Sequence, residues 1–205
     1  MEFEKIETIV EDIRPYDFEE SEDIVTLSSS AGNFPLMAAF TVYKNDLPKD
    51  LAQNDIMFVY LQAMTGQKGR FEVYKDEASF YKKHPKVDVE SFFPEWEENE
   101  NGVRFVEFGN INGRVVEVED FDPDQWWVKL KCNGYFFSTL VLKNMPGLSK
   151  RKDHAAATEI ADIFHDIDPS IMCAGSEDYS NYNPVEVGDI ISGEFLLTFD
   201  LVSPS

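Results

Sequence analysis

Two runs of alternating aromatic and β-branched residues give the clearest hydrophobic pattern in the chain. They span residues 126–132 and 135–142 and are separated by Asn133-Gly134, the dipeptide that two-residue type I′ hairpin turns prefer. The turn fixes the register, and it predicts these cross-strand pairs: Cys132 with Tyr135, Leu130 with Phe137, Val128 with Thr139 and Trp126 with Val141. The paired residues form an almost wholly apolar face, which we expect to point into the core.

Similar alternation predicts strands elsewhere in the chain. Short strands are expected over residues 24–27 and 36–44, and a last strand over 191–201. Residues 56–64 and 70–74 are predicted to pair around a glycine-containing hairpin loop. The segment 103–120 predicts a long strand or strand pair, with a bend or bulge at its two glycines, Gly109 and Gly113.

Three stretches predict short helices. The first has apolar residues at helical spacing before Pro15, although a strand over residues 6–10 is left open; these residues are Phe3, Ile6, Val10 and Ile13. The second covers residues 76–83 and ends before Pro85. The third begins after Asp153, a candidate N-cap, and continues to about residue 165 with one apolar stripe.

These elements predict an α+β fold, mainly antiparallel sheet with two or three short helices. From residue 103 onward the expected order is bent strand, strand, Asn-Gly hairpin, strand, helix and closing strand. This order resembles that of an OB-fold barrel over about half of the chain, with only residues 171–174 available for the fourth strand. The resemblance implies a barrel-like C-terminal half, and OB-folds commonly bind oligonucleotides.

The chain is predicted to divide into a β-rich α+β half over residues 1–88 and a barrel-like β half with one helix over residues 103–205. Residues 89–102, an acidic loop with aromatic side chains, are expected to connect them; a single compact domain overall is left open. The loop aromatics either pack beneath the loop or anchor an interface, and burial is the more frequent outcome for such residues.

Charge is the strongest global signal. The chain holds 39 acidic and 18 basic residues, for a net charge of −21. Residues 90–124 alone contain eleven acids and two bases. Such a field repels nucleic acid and anionic membranes and steers a basic partner toward the protein, although high charge also serves solubility alone. The acidic N-terminus and the lack of eighteen consecutive apolar residues predict a cytoplasmic protein that binds no membrane.

Candidate catalytic chemistry is sparse. The only cysteines, Cys132 and Cys173, are not in metal-ligand spacing, and no nucleophile elbow, phosphate loop, dinucleotide fingerprint or zinc motif occurs. We therefore expect no cofactor, no metal site and no catalytic residues. An enzyme that uses Cys173 with a histidine, or a carboxylate cluster, stays an alternative.

The leading hypothesis is a non-enzymatic acidic protein that docks onto or neutralises a basic protein partner. Its composition is similar to that of small bacterial immunity and inhibitor proteins. Aromatic anchors surrounded by carboxylates are expected to make the contacts: Trp96, Glu97, Glu98, Asp122, Asp124 and Trp127. The alternative is a small-ligand or oligosaccharide-binding module that uses the mixed hairpin face around Trp127 and Phe136.

Overall fold

The computed structural model describes residues 3–65, 71–99, 102–122, 125–142 and 185–202. Within these ranges the chain forms ten strands, one α-helix and a 3₁₀ turn at Lys44–Asp46. The elements are β1 (Ile6–Pro15), β2 (Glu22–Ser29), β3 (Leu36–Tyr43), β4 (Ile56–Thr65), β5 (Phe71–Tyr74), α1 (Glu77–Lys83), β6 (Ser91–Asn99), β7 (Gly102–Asp122), β8 (Gln125–Cys132), β9 (Tyr135–Leu142) and β10 (Ile190–Leu201). The described part of the protein is therefore mostly β-sheet.

The strands form one mixed sheet in the order β5-β10-β3-β2-β1-β4-β9-β8-β7-β6. Most neighbours are antiparallel, while β10–β3 and β4–β9 are parallel. Additional pairings join β10 to β4 and to β7. The first part of β10 pairs with β5 and β7, and its last part pairs with β4. The sheet therefore curves back on itself around β10.

The predicted β8–β9 hairpin is confirmed in position and in register. All four predicted cross-strand pairs are present, from Cys132 with Tyr135 to Trp126 with Val141. Asn133 and Gly134 both have positive φ, at 51° and 82°, as the I′ turn requires. The predicted inward face is buried at Val128, Leu130 and Phe137, and it joins the main hydrophobic cluster.

The predicted N-terminal helix is wrong, because residues 6–15 form strand β1. Ile6, Thr8 and Val10 are buried, while Glu7 and Ile9 between them are exposed, which is the period of a strand. The hydroxyl of Thr8, between Ile6 and Val10 on the inward face, is buried and donates to the Met57 carbonyl oxygen at 3.1 Å. Pairing with β2 and β4 on either side stabilises the extended form.

The helix predicted over residues 76–83 is confirmed as α1. Asp76 caps it by accepting a hydrogen bond from the Ser79 backbone N–H at 2.7 Å. The third predicted helix, over 153–165, and the short strand over 171–174 lie outside the described residues. Because the first helix is a strand, the described fold is mostly β rather than α+β with two or three helices. Barrel-like closure of the C-terminal half stays a prediction.

The predicted hairpin between residues 56–64 and 70–74 is wrong in its pairing. Both strands exist, as β4 and β5, but each is hydrogen-bonded to β10 and they lie one after the other along it. The acidic segment predicted as a loop over residues 89–102 is also wrong, because Ser91–Asn99 is strand β6 and pairs with β7. A strand at the end of a sheet exposes much of its length to water, so its acidic composition resembles that of a loop.

The division into two halves stays a prediction. Strands from both proposed halves share the one sheet, since β10 pairs with β3, β4 and β5, and β4 pairs with β9. The alternative left open by the sequence, a single compact domain, requires such pairings between the two proposed halves.

β7 runs as one strand through Gly109 and Gly113, where a bend or bulge was expected. Its pairing with β6 is irregular next to the first glycine, between Gly109 and Phe105, while its pairing with β8 shifts between Val115 and Glu117 and again near Asp120. The two glycines are sites of close approach. A Cβ on Gly109 would lie 2.6 Å from the Phe92 ring, and one on Gly113 would lie 2.9 Å from the Cys132 Sγ atom. The absence of a side chain lets core groups pack against the β7 backbone.

Candidate interaction surface and cleft of β6 and β7

Strand β6 lies at one end of the sheet order and carries three of the residues predicted to bind a partner. Trp96 is opposite Phe105 and Glu98 is opposite Val103, so these four side chains share one face of the β6–β7 pair. Trp96 is 59% exposed and Val103 is 64% exposed. An exposed tryptophan beside an exposed valine and a carboxylate matches the expected combination of anchor and charged rim. We call these four residues the Trp96 surface.

Glu97 lies on the other face of the same strands. It is opposite Arg104, and the Arg104 guanidinium donates a hydrogen bond to the Glu97 carboxylate. Asp17, in the turn between β1 and β2, lies 3.8 Å from the same guanidinium. This exposed trio links the β1–β2 turn to the β6–β7 pair.

A cleft of about 260 Å³ opens beside this trio. Its polar wall consists of side chains from β1, the β1–β2 turn, β6 and β7: Arg14, Tyr16, Asp17, Glu97, Arg104 and Glu107. Its apolar wall is formed by Pro15, Phe18, Ile24, Val106 and Phe108. The cleft is concave, apolar on one side and charged on the other, which is the general composition of a binding site.

Glu107 is the most unusual residue of the cleft, because its side chain is charged and yet only 7% exposed. Its carboxylate interacts with the hydroxyl of Tyr16 by charge and by a hydrogen bond. Partial burial, followed by the charge of Glu107, raises the pKa of Tyr16 to about 12. The phenol therefore stays protonated to a higher pH than an ordinary tyrosine does, and it remains a hydrogen-bond donor to Glu107.

The two arginines of the cleft have other partners. The Arg14 Nη2 atom donates to the Phe105 carbonyl oxygen at 2.6 Å, and its Nη1 atom is 3.5 Å from Asp12. Arg104 interacts with Glu97 and Asp17. Among the described residues, neither arginine forms an ion pair with Glu107. The hydrogen bond with Glu97, followed by the charges of Glu97, Asp17 and Glu107, raises the pKa of Arg104, so Arg104 offsets part of the Glu107 charge from a distance. The cleft therefore retains a buried carboxylate that has no direct ion pair with a lining arginine.

Trp127, another predicted contact residue, lies beside the opposite end of β7. Trp127 is opposite Glu119, far along the strand from Phe105, where Trp96 pairs. The Trp127 ring packs edge-on against Phe121 at 5.6 Å and against Phe3 at 6.0 Å between ring centroids.

Of the two predicted aspartates, Asp122 belongs to the same end of β7. The backbone of Asp122 pairs with Gln125, and Asp124 lies outside the described residues. The structure thus brings together Trp96, Glu97 and Glu98 and places Trp127 elsewhere.

The mixed face of the β8–β9 hairpin is largely covered by the chain itself. Lys129 is buried there, pairs with Glu4 at 3.3 Å and Glu117 at 3.9 Å, and lies over the Phe136 ring at 5.0 Å. The cavity beside it measures only about 10 Å³. That is about the space that a single water molecule needs.

Nucleophile and metal candidates find little support in the described residues. Cys132 is buried in the core, and this burial strongly raises the pKa of its thiol, so the reactive thiolate is disfavoured. Cys173 lies outside the described residues. In the part of the chain that is described, no group of three or more His, Cys, Asp or Glu side chains has a geometry for holding a metal ion. Nor do the described residues include a helix long and apolar enough to cross a membrane.

Sequence reasoning missed Arg14, Tyr16 and Glu107. A signal for Glu107 did exist. It belongs to the same alternate set of β7 as Phe105, Gly109 and Ile111, so it is a charged residue placed between apolar neighbours on the inward side of the strand.

Comparison with known proteins gives no relative for this chain: no family model, no curated protein and no solved structure matches it.

Proposed function

We propose that this protein is a non-enzymatic acidic binding protein that docks onto a basic protein partner through the Trp96 surface. The observation that carries the proposal is the exposure of Trp96 on the edge strand β6 beside Val103 of β7, next to Glu98. Tryptophan is enriched among residues that dominate interface energies, and a large exposed apolar side chain is stabilised when a partner covers it. Contact residues on this surface are therefore assigned to Trp96 and Glu98, and Glu97 is assigned to its border on the other face.

The sign of the partner's charge follows from the net charge of −21. A field of this size accelerates encounter with a cationic protein and slows encounter with an anionic one. In the role of an immunity or inhibitor protein, the acidic surface would guide approach and the aromatic anchor would slow dissociation. Nucleic acid is a poor candidate partner, because its phosphates carry the same sign of charge.

The experiment compares two residues of nearly equal exposure on different strands. A photo-crosslinking amino acid replaces Trp96 on β6 or, as a control, Tyr43 on β3, which is 58% exposed. Each labelled chain is mixed with lysate of the source organism at low salt. We expect one stoichiometric basic protein to be crosslinked from position 96 and not from position 43.

The captured protein then provides a kinetic test. Its association rate with the wild-type chain should fall several-fold between low and physiological salt, and Trp96→Ala should mainly raise the dissociation rate. A salt-independent association rate, or equal crosslinking from both positions, would contradict the proposal.

The small-ligand or oligosaccharide module around Trp127 and Phe136 has less support. Aromatic side chains of the chain itself pack on Trp127, and the neighbouring cavity has room for about one water molecule. An OB-like, barrel-like C-terminal half is retained as a proposal, supported by the chain order of β7, β8, β9 and β10. A cytoplasmic location is likewise retained as a proposal, on the presence of only two cysteines in the sequence.

A further inference from the structure

We propose that the cleft between the β1–β2 turn and the β6–β7 pair receives one arginine side chain of the basic partner, with Glu107 as its charge partner. The inference rests on the proposed function and specifies how the partner is recognised. Phe105, which belongs to the Trp96 surface, and Glu107, which lines the cleft, are two residues apart on β7, so a partner that covers the Trp96 surface reaches the edge of the cleft.

The volume of the cleft favours a side chain over a larger ligand. At about 260 Å³ it lies below the range of roughly 300–1,000 Å³ that is typical of pockets for drug-sized molecules. An extended side chain with a polar end is of suitable size. The mouth is formed by exposed groups, since Phe18 is 84% exposed and Asp17 is also exposed.

The charge of the cleft favours a cation. Three carboxylates line it, from Asp17, Glu97 and Glu107, against two guanidinium groups. Arg14 is offset by Asp12 just outside the lining. The cleft is thus net negative before the surrounding acidic residues are considered.

Glu107 is the group that a guest cation would contact. A carboxylate has about four lone-pair positions for hydrogen bonds, and the Tyr16 hydroxyl occupies one of them. Buried carboxylates are usually paired with a cation, but the resident arginines are held by Phe105, Glu97 and Asp17. A partner guanidinium would supply the direct ion pair that neither resident arginine forms with Glu107.

Arginine fits this cleft better than lysine. A guanidinium is planar, stacks on aromatic rings and offers paired N–H groups to a carboxylate, whereas an ammonium is a strongly hydrated point charge. The walls provide aromatic rings from Tyr16, Phe18 and Phe108, and aliphatic surface from Ile24 and Val106 for the methylene stem. Both halves of an arginine side chain would therefore find complementary surface.

The first experiment needs no mutation. The ¹⁵N-labelled full chain is titrated with N-acetyl-arginine amide and, in parallel, with N-acetyl-citrulline amide, which has nearly the same shape and no charge. We expect arginine amide to shift the backbone signals of residues 14–18 and 104–108 with a Kd on the order of millimolar. Citrulline amide should bind at least about tenfold more weakly, and N-acetyl-lysine amide should fall between them.

Two isosteric substitutions localise the site. Glu107→Gln keeps the shape of the side chain and should weaken arginine amide binding about tenfold or more. Glu186→Gln removes one negative charge from an exposed position before β10, beside the other part of β7, and should leave binding within about twofold. If Glu107→Gln fails to fold, the comparison of arginine amide with citrulline amide on the wild-type chain still tests whether the cleft binds an arginine side chain.

Equal shifts with arginine amide and citrulline amide, shifts elsewhere on the surface, or equal losses in the two variants would overturn the inference. Binding of N-acetyl-aspartate in place of the arginine probe would do the same, since it would mean that Arg14 and Arg104 form an anion site. None of these results bears on crosslinking from position 96, so the cleft proposal and the docking proposal fail separately.

Discussion

The β8–β9 and β6–β7 hairpins contain similar aromatic side chains but place them differently. In β8–β9, Tyr135 and Phe137 are fully buried and join the main core. In β6–β7, Phe92 joins that core, but Trp96 and Phe93 are more than half exposed. The difference lies in what covers each strand, because β9 lies between β8 and β4 whereas β6 is the last strand of the sheet.

This comparison separates structural aromatics from candidate contact residues. Phe137 packs on Phe92 at 5.2 Å between ring centroids, with many other core neighbours. Trp96 lies beyond the point where the core reaches along β7. Removing the Phe137 ring should therefore affect folding, whereas removing the Trp96 ring should affect binding.

The largest expected effect is on stability in the β8–β9 hairpin. Phe137→Ala should lower the free energy of unfolding by about 3–5 kcal/mol, because it leaves a cavity at a fully buried position. Trp96→Ala should change it by no more than about 0.5 kcal/mol. Urea unfolding followed by far-UV circular dichroism measures both, and similar losses in the two variants would mean that Trp96 is part of the core.

The next effect concerns β7, which pairs with β6 on one side and with β8 of the other hairpin on the other side. Gly113→Ala should destabilise the protein by about 1–3 kcal/mol, since the new Cβ would lie 2.9 Å from both the Leu130 Cβ and the Cys132 Sγ atoms. Asn110→Ala, at an exposed position of the same strand, is the control and should stay within about 0.5 kcal/mol. Thermal unfolding compares the pair, and a neutral Gly113→Ala would contradict the close approach of β8.

A smaller effect is expected from one buried hydroxyl in β9. The Tyr135 Oη atom accepts from the Leu36 N–H at 3.1 Å and lies 2.8 Å from the Phe34 carbonyl oxygen. Tyr135→Phe should lower the free energy of unfolding by about 2 kcal/mol, because buried backbone groups lose their partner. Tyr43→Phe, at an exposed position of β3, should have no measurable effect in the same assay.

The smallest effect is a pH dependence in the β6–β7 cleft. Tyr16 keeps its proton to about pH 12 in the folded chain, against an ordinary pKa of 10.0. Between these values the unfolded chain binds fewer protons than the folded chain, so stability should fall as pH rises from about 10 to 12. Tyr16→Phe should reduce this slope. The difference in tyrosinate absorbance between wild type and Tyr16→Phe should report the raised pKa, and Glu107→Gln should shift it toward 10.0.

The sequence by itself determined the features that depend on neighbours along the chain. The Asn133-Gly134 turn and the alternation on each side of it specified the β8–β9 register, because a two-residue turn permits only one pairing. Asp76 and the residues after it specified α1 in the same way, through a local cap. The strand character of β10 followed from its period of two.

Only the tertiary structure decided the features that depend on distant segments. β1 is a strand because β2 and β4 pair with it, and β4 and β5 do not form a hairpin because β10 pairs with both. Trp96 is exposed because β6 is the last strand in the sheet order, and Glu107 is buried because the end of β1 and the β1–β2 turn pack beside β7. Alternation is a local property of a strand, but what covers each face depends on strands that are far away in sequence, and this decided where the candidate site lies.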